Sequence, residues 1–83
     1  MQNHTMRQKI KQIIYEITNI KPEEIRDDAH FIEELKLDSL TMLEIGVHLD
    51  QEFDLDLPEE EMQKFTSVEA SAAIILAHLG QPA

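Results

Sequence analysis

The chain has 83 residues, 42% of them apolar, with a formal net charge of -10 and no cysteine. That length suits one domain with one modest core, and the missing thiols exclude disulfides, thiolate metal sites and a cysteine nucleophile. No apolar run approaches the roughly 18 residues that span a bilayer, and the N-terminus has no apolar signal core, so the expectation is a cytoplasmic chain without membrane insertion.

Aromatic residues are few (Tyr15, Phe31, Phe53 and Phe65), so the core must be mainly Ile, Leu, Val and Met. A first helix is expected to start near Thr5, where Thr5 and Gln8 have the spacing of a capping box. Met6, Ile10, Ile13, Ile14 and Ile17 then fall on one helical stripe. Pro22 ends it, because the residue before a proline disfavours helix. Residues 21–37 read as a long connection with one helical turn after Pro22, pinned to the core by Ile25, Phe31, Ile32 and Leu35. A loop this long in so small a domain points to function.

A second helix is expected from about Ser39 to Phe53. Leu40, Leu43 and Val47 form one row, and Met42, Ile45, Leu49 and Phe53 widen it to a face that touches two neighbours. Asp54-Leu55-Asp56-Leu57-Pro58 alternates like a strand but has no partner strand, so it reads as a loop tucking its leucines inward. Pro58 suits the first position of a short helix, with Glu59, Glu60 and Glu61 at the positive end of its dipole. Met62 and Phe65 face in. Thr66 and Glu69 form a second capping box, and a last helix carries Val68, Ala72, Ile75 and Leu79 on its stripe. Gly80 and Pro82 supply a stop. The expected fold is all-α: a single domain over residues 1–83, a four-helix bundle with a short third helix and a long loop between helices 1 and 2.

The charge is uneven. Residues 1–36 hold six basic and seven acidic side chains, a net of -1, whereas residues 37–83 hold one basic and ten acidic, a net of -9. A field of that sign repels nucleic acid and anionic membrane. It steers toward proteins with basic patches.

Leu37-Asp38-Ser39-Leu40 is the most informative segment. It places a serine at a helix start, after a carboxylate and before a wide apolar face. That is a poor design for a catalytic serine and a good one for a serine that carries a phosphate, whose charge meets unpaired backbone N–H groups and the positive dipole end. The bland alternative makes Asp38 or Ser39 an ordinary N-cap.

Taken together, the segments from about Ile10 to Leu79 resemble the acyl carrier protein family. The likeness is carried by Phe31-Ile32-Glu33-Glu34-Leu35, by Leu37-Asp38-Ser39-Leu40, by Glu44 and Asp50-Gln51-Glu52-Phe53, by Pro58-Glu59-Glu60-Glu61 and by Phe65-Thr66-Ser67-Val68-Glu69-Ala70. The resemblance implies a carrier, not an enzyme, with 4′-phosphopantetheine covalently attached to Ser39 and acyl groups held as thioesters for fatty acid, polyketide or related specialised acyl synthesis. It implies a monomer whose partners are a phosphopantetheinyl transferase and acyl-chain enzymes with basic docking patches. Asp38, Leu40, Glu44, Asp50 and Glu52 are then expected in partner recognition, and Leu43, Gly46, Val47, Leu57, Met62, Phe65 and Ile75 in sheltering the acyl chain. Asp38 would face the transferase's metal or basic residues while Ser39 is still neutral. Departures exist: many fatty-acid carriers have Gly where Lys36 stands, and acids where Thr41 and Gln51 stand. The alternatives are a carrier of aminoacyl or peptidyl groups, against which Asp38 before the serine speaks, and an unmodified helical adaptor.

Rival sites fare worse. A hydrolase built on Ser39 with His30 or His48 lacks a Gly-x-Ser-x-Gly elbow. Asp50, Glu52, Asp54, Asp56 and Glu61 match positions 1, 3, 5, 7 and 12 of a calcium loop, but Leu55 and Pro58 fall where such a loop needs a sharp glycine turn and a ligand. His4, His30, His48 and His78 have no zinc spacing. No metal site is expected.

Overall fold

A computed structural model describes residues 2–79, with side chains described from Thr5 onward. Among the described residues there are four α-helices and no strand: α1 Gln2–Thr18, α2 Ser39–Phe53, α3 Glu59–Met62 and α4 Val68–His78, with a 3₁₀ turn Pro22–Glu24 in the long connection. The expected all-α bundle with a short third helix is what forms. α1 packs against both α2 and α4, and α2 packs against α3. Met6, Ile10, Ile13 and Ile14 meet Met42, Ile45 and Leu49 and, from α4, Val68, Ala72, Ile75 and Leu76 in one core.

The helix ends differ from expectation in instructive ways. α1 already runs from Gln2, so Thr5 lies inside it rather than capping it. It stops before Pro22 can act. The Thr18 hydroxyl donates to the Ile14 carbonyl at 2.8 Å and accepts from the Ile20 amide at 3.2 Å, and Asn19 turns left-handed at φ 67. The cap of α4 is Ser67, whose hydroxyl accepts from the Ala70 amide at 3.0 Å. Thr66 instead gives its carbonyl to the Phe31 amide at 2.8 Å. Leu79 leaves the stripe and is 45% exposed. The stop at Gly80 and Pro82 lies outside the described residues.

The long connection is tied down at several points. Ile25 and Phe31 are buried in the core, and Ile32 and Leu35 pack against it. Asp27 bridges Arg7 at 2.6 Å and Lys11 at 2.7 Å, and its carbonyl accepts from the Glu69 amide at 2.8 Å. One residue thereby joins α1, the loop and α4. Hydrogen bonding from Lys11 and then Arg7 holds its carboxyl below the ordinary carboxylate range. A carboxylate with a depressed folded pKa stabilises the fold above its unfolded value, about 3.9, and that contribution is lost as pH falls below it. Asp27→Asn is therefore expected to lower stability at neutral pH, by under about 1 kcal/mol per pair given partial exposure. It should also flatten the fall in stability between roughly pH 4 and pH 2. Urea melts of both forms across that range check it; parallel acid limbs would refute the role.

After α2, Asp54 caps the helix in left-handed geometry at φ 54. The Asp50 carboxylate accepts from the Leu57 amide at 2.8 Å, which seats Leu57 in the core and half-buries Leu55. The segment is the inward-tucked loop expected of an alternating stretch with no partner strand.

Candidate functional site

Ser39 is the first residue of α2, and Asp38 is its N-cap. The Asp38 carboxylate accepts from the Thr41 amide at 2.7 Å, and its carbonyl takes the Met42 amide at 3.0 Å. The first satisfies one of the donors that a helix start leaves free, and the second is the first regular bond of the helix. No hydrogen bond among the described residues engages the Ser39 hydroxyl or the amides of Ser39 and Leu40. The carboxyl of Asp38 is held below the ordinary range by Thr41, through its side chain first and its amide second. It is thus an acceptor at neutral pH and has no proton to give.

The segment before it is a hydrogen-bonded turn that sequence reading missed. The His30 Nδ1 accepts from the Ile32 amide at 3.2 Å and the Glu33 amide at 3.3 Å. The Glu34 carboxylate reaches back to the His30 amide at 3.0 Å. At the far end the Leu35 amide bonds to the His30 carbonyl at 3.2 Å and the Leu37 amide to the Phe31 carbonyl at 3.0 Å, around a left-handed Lys36 at φ 63. The left-handed conformation at Lys36 is one that favours glycine. The one available signal was Lys36, at a position where the family resemblance leads one to expect glycine. The turn fixes where Ser39 emerges, and it commits the His30 acceptor nitrogen to the backbone. His48 lies nine residues along α2 from Ser39, roughly 13 Å of helix rise. Neither histidine is placed to activate the serine.

A non-glycine residue held left-handed costs on the order of 1 kcal/mol. Lys36→Gly is expected to raise stability by roughly that amount, less the entropy glycine adds to the unfolded chain. Chemical denaturation measures it. A loss of stability would mean that the lysine stem contributes more than the strain removes.

Around Ser39 the surface is open. A depression of about 390 Å³ is lined by Ser39, Leu40, Met42, Leu43 and Gln63. A second, about 350 Å³, is lined by Leu40, Leu43, Glu44, Val47 and His48. Leu40 stands between them, 72% exposed. Asp38, Leu40 and Glu44 are exposed together near the serine. Asp50 and Glu52 are engaged elsewhere: Asp50 holds the loop after α2, and Glu52 pairs with Lys9 of α1 at 2.8 Å.

The residues expected to shelter a chain divide. Leu43 and Val47 line the open depressions. Gly46, Leu57, Phe65 and Ile75 are buried and Met62 is half-buried against the core. Phe65 and Ile75 are 0% exposed, so in this packing they fill the interior and line neither of the two depressions.

This serine-headed helix and its capped loop have a counterpart among known proteins. The matching family model is the phosphopantetheine attachment site, over residues 8–75. The chain belongs to that family. Its structure is also similar to the apo doublet acyl carrier protein from prodigiosin biosynthesis, with a TM-score of 0.81 and 23% sequence identity. The match covers 93% of this chain and 38% of that one, so the chain spans well under half the length of that relative. The fold of the phosphopantetheine-binding carriers is therefore the fold seen here, and 4′-phosphopantetheine is the cofactor of the family. Proteins of this kind are carriers, generally acted on by transferases and synthesis enzymes rather than catalytic themselves. No described helix is long and apolar enough to cross a membrane.

Proposed function

We propose that Ser39 is the attachment point of the phosphopantetheine arm, and that the whole of residues 1–83 acts as one acyl carrier domain for fatty acid, polyketide or related specialised acyl synthesis. The observation that carries this reading is the free, exposed Ser39 hydroxyl at the first position of a capped helix. The hydroxyl oxygen attacks the pantetheine-side phosphorus of coenzyme A, the pyrophosphate bond breaks, the adenosine bisphosphate half leaves, and the proton passes to the transferase. The site suits the product. The Ser39 and Leu40 amides remain available to a phosphodiester, and negative charge at a helix start is favoured by about 0.3–1 kcal/mol. Asp38 opposes that charge, so its service lies in capping α2 and in facing the transferase. The arm supplies the thiol on which acyl groups are held, since the chain has none of its own. Incubation with coenzyme A, Mg²⁺ and a broad-specificity transferase tests the proposal by intact mass: one added arm per chain is expected, and refusal by several such transferases overturns it.

Partners are read as basic surfaces meeting Leu40 and Glu44, with the carrier acting as a cytoplasmic monomer. Contacts at a solvated rim act mainly on association rate. Glu44→Lys is therefore expected to slow modification several-fold at low salt, and added salt to slow the wild type toward the variant. Stopped-flow or initial-rate measurements across ionic strength check this. Equal rates for both forms at all salt concentrations would remove Glu44 from the docking face.

A further inference from the structure

Gly46 lies on the same side of α2 as Met42 and Leu43, one turn further from Ser39. A Cβ placed on it would stand 2.9 Å from the Met62 carbonyl oxygen, 3.0 Å from Cδ2 of Phe65 and 3.2 Å from the Met62 Cβ. The glycine is therefore not a gap. It is where the α2 backbone meets the end of α3 and the Phe65 ring. The Phe65 ring belongs to the same core as Ile45, Leu49 and Ile75, all 0% exposed. In a packed interior, room for a chain has to be made by displacing side chains. In front of the seam lies the open depression of Ser39, Leu40, Met42, Leu43 and Gln63. From Ser39 to Gly46 it is seven residues, roughly 10 Å of helix rise.

We infer that the contact of Gly46 with Met62 and Phe65 is a barrier that keeps acyl cargo out of the core and confines it to the outer depression, which makes this a carrier of short acyl groups. The inference rests on Ser39 as the attachment point and adds the cargo class and the residues that set it. A carrier whose interior admits the chain shelters each added methylene, so protection of the thioester climbs with chain length. A carrier with a closed seam gains nothing once the outer depression is full.

The test loads the full chain from acetyl-, butyryl-, octanoyl- and dodecanoyl-coenzyme A, verifies each product by intact mass, and measures thioester hydrolysis relative to the free coenzyme A thioester. Protection is expected to stay constant within about twofold from butyryl to dodecanoyl, because no further methylene is buried. Amide NMR shifts on octanoyl loading should be confined to residues 39–43 and Gln63. Protection that rises about tenfold or more along the series, or shifts at Ile45, Leu49 and Ile75, overturns the inference while leaving the attachment reading intact. Failure to load Ser39 at all defeats the attachment reading and this inference with it. Phe65→Leu tests the barrier itself: with the ring gone, a length-dependent protection should appear. If that variant folds with lowered stability but an unchanged length profile, the contact is merely structural and the inference fails. If it does not fold, the wild-type series decides alone.

Discussion

Ser39→Ala is expected to abolish modification completely while leaving the protein folded. The hydroxyl is the only part of the side chain lost, and no hydrogen bond among the described residues depends on it. Alanine is the best helix former, so the first turn of α2 keeps its propensity. Asp38 still caps the helix through the Thr41 amide. Surface substitutions of this kind stay within about 0.5 kcal/mol, so unchanged urea melts would separate a chemical loss from an unfolding one. Intact mass after transferase treatment reads the loss directly. The other two serine hydroxyls are engaged: Ser67 caps α4, and Ser71 is buried and donates to the Ser67 carbonyl at 2.7 Å. Residual modification of Ser39→Ala would place the arm elsewhere and undo the assignment.

The readable parts of the chain were those where local signals and tertiary packing agree. α2 was legible at both ends because a carboxylate-serine start and an apolar face ending in Phe53 point the same way. The stripe of Met6, Ile10, Ile13 and Ile14 was legible for the same reason. Boundaries failed where two neighbouring residues offer similar caps. Thr66 and Ser67 both suit an N-cap by chemistry, and only the long-range bond from the Phe31 amide to the Thr66 carbonyl decides between them. Around His30 and Lys36 the turn left little trace. Histidine is not a usual cap and lysine is not a usual left-handed residue, so the composition there carries no turn signal.

Site residues were harder, because helical position tells which way a side chain points but not what else uses it. Asp50 and Glu52 read as docking charge on α2, yet one holds the following loop and the other pairs with α1. The family resemblance set Phe65 and Ile75 among the residues that shelter a chain, yet both are consumed by the core. No periodicity separates an apolar residue that lines space from one that fills it. A glycine inside a helix is costly, so Gly46 asks for either a close helix contact or room for a bulky group. The Met62 and Phe65 contacts choose the first.

That choice reverses the sign of a simple expectation. By helix propensity alone, Gly46→Ala should stabilise by roughly 1 kcal/mol. The added methyl would stand 2.9 Å from a backbone oxygen and 3.0 Å from a buried ring. A flexible side chain could move away cheaply, but the Met62 carbonyl belongs to the α3 backbone and Phe65 is 0% exposed. Overpacking of this kind costs about 1–3 kcal/mol, so Gly46→Ala is expected to be no more stable than wild type and most readily less stable by about 1 kcal/mol. Gly46→Leu cannot be accommodated by tenths of an ångström. It must push α3 and Phe65 off α2, with an expected loss of about 3 kcal/mol or more, the top of the overpacking range. Urea denaturation of the three forms orders them wild type, alanine, leucine. If alanine instead raises stability by the full propensity term, α2 and α3 do not meet at Gly46, and the seam that closes the core is absent.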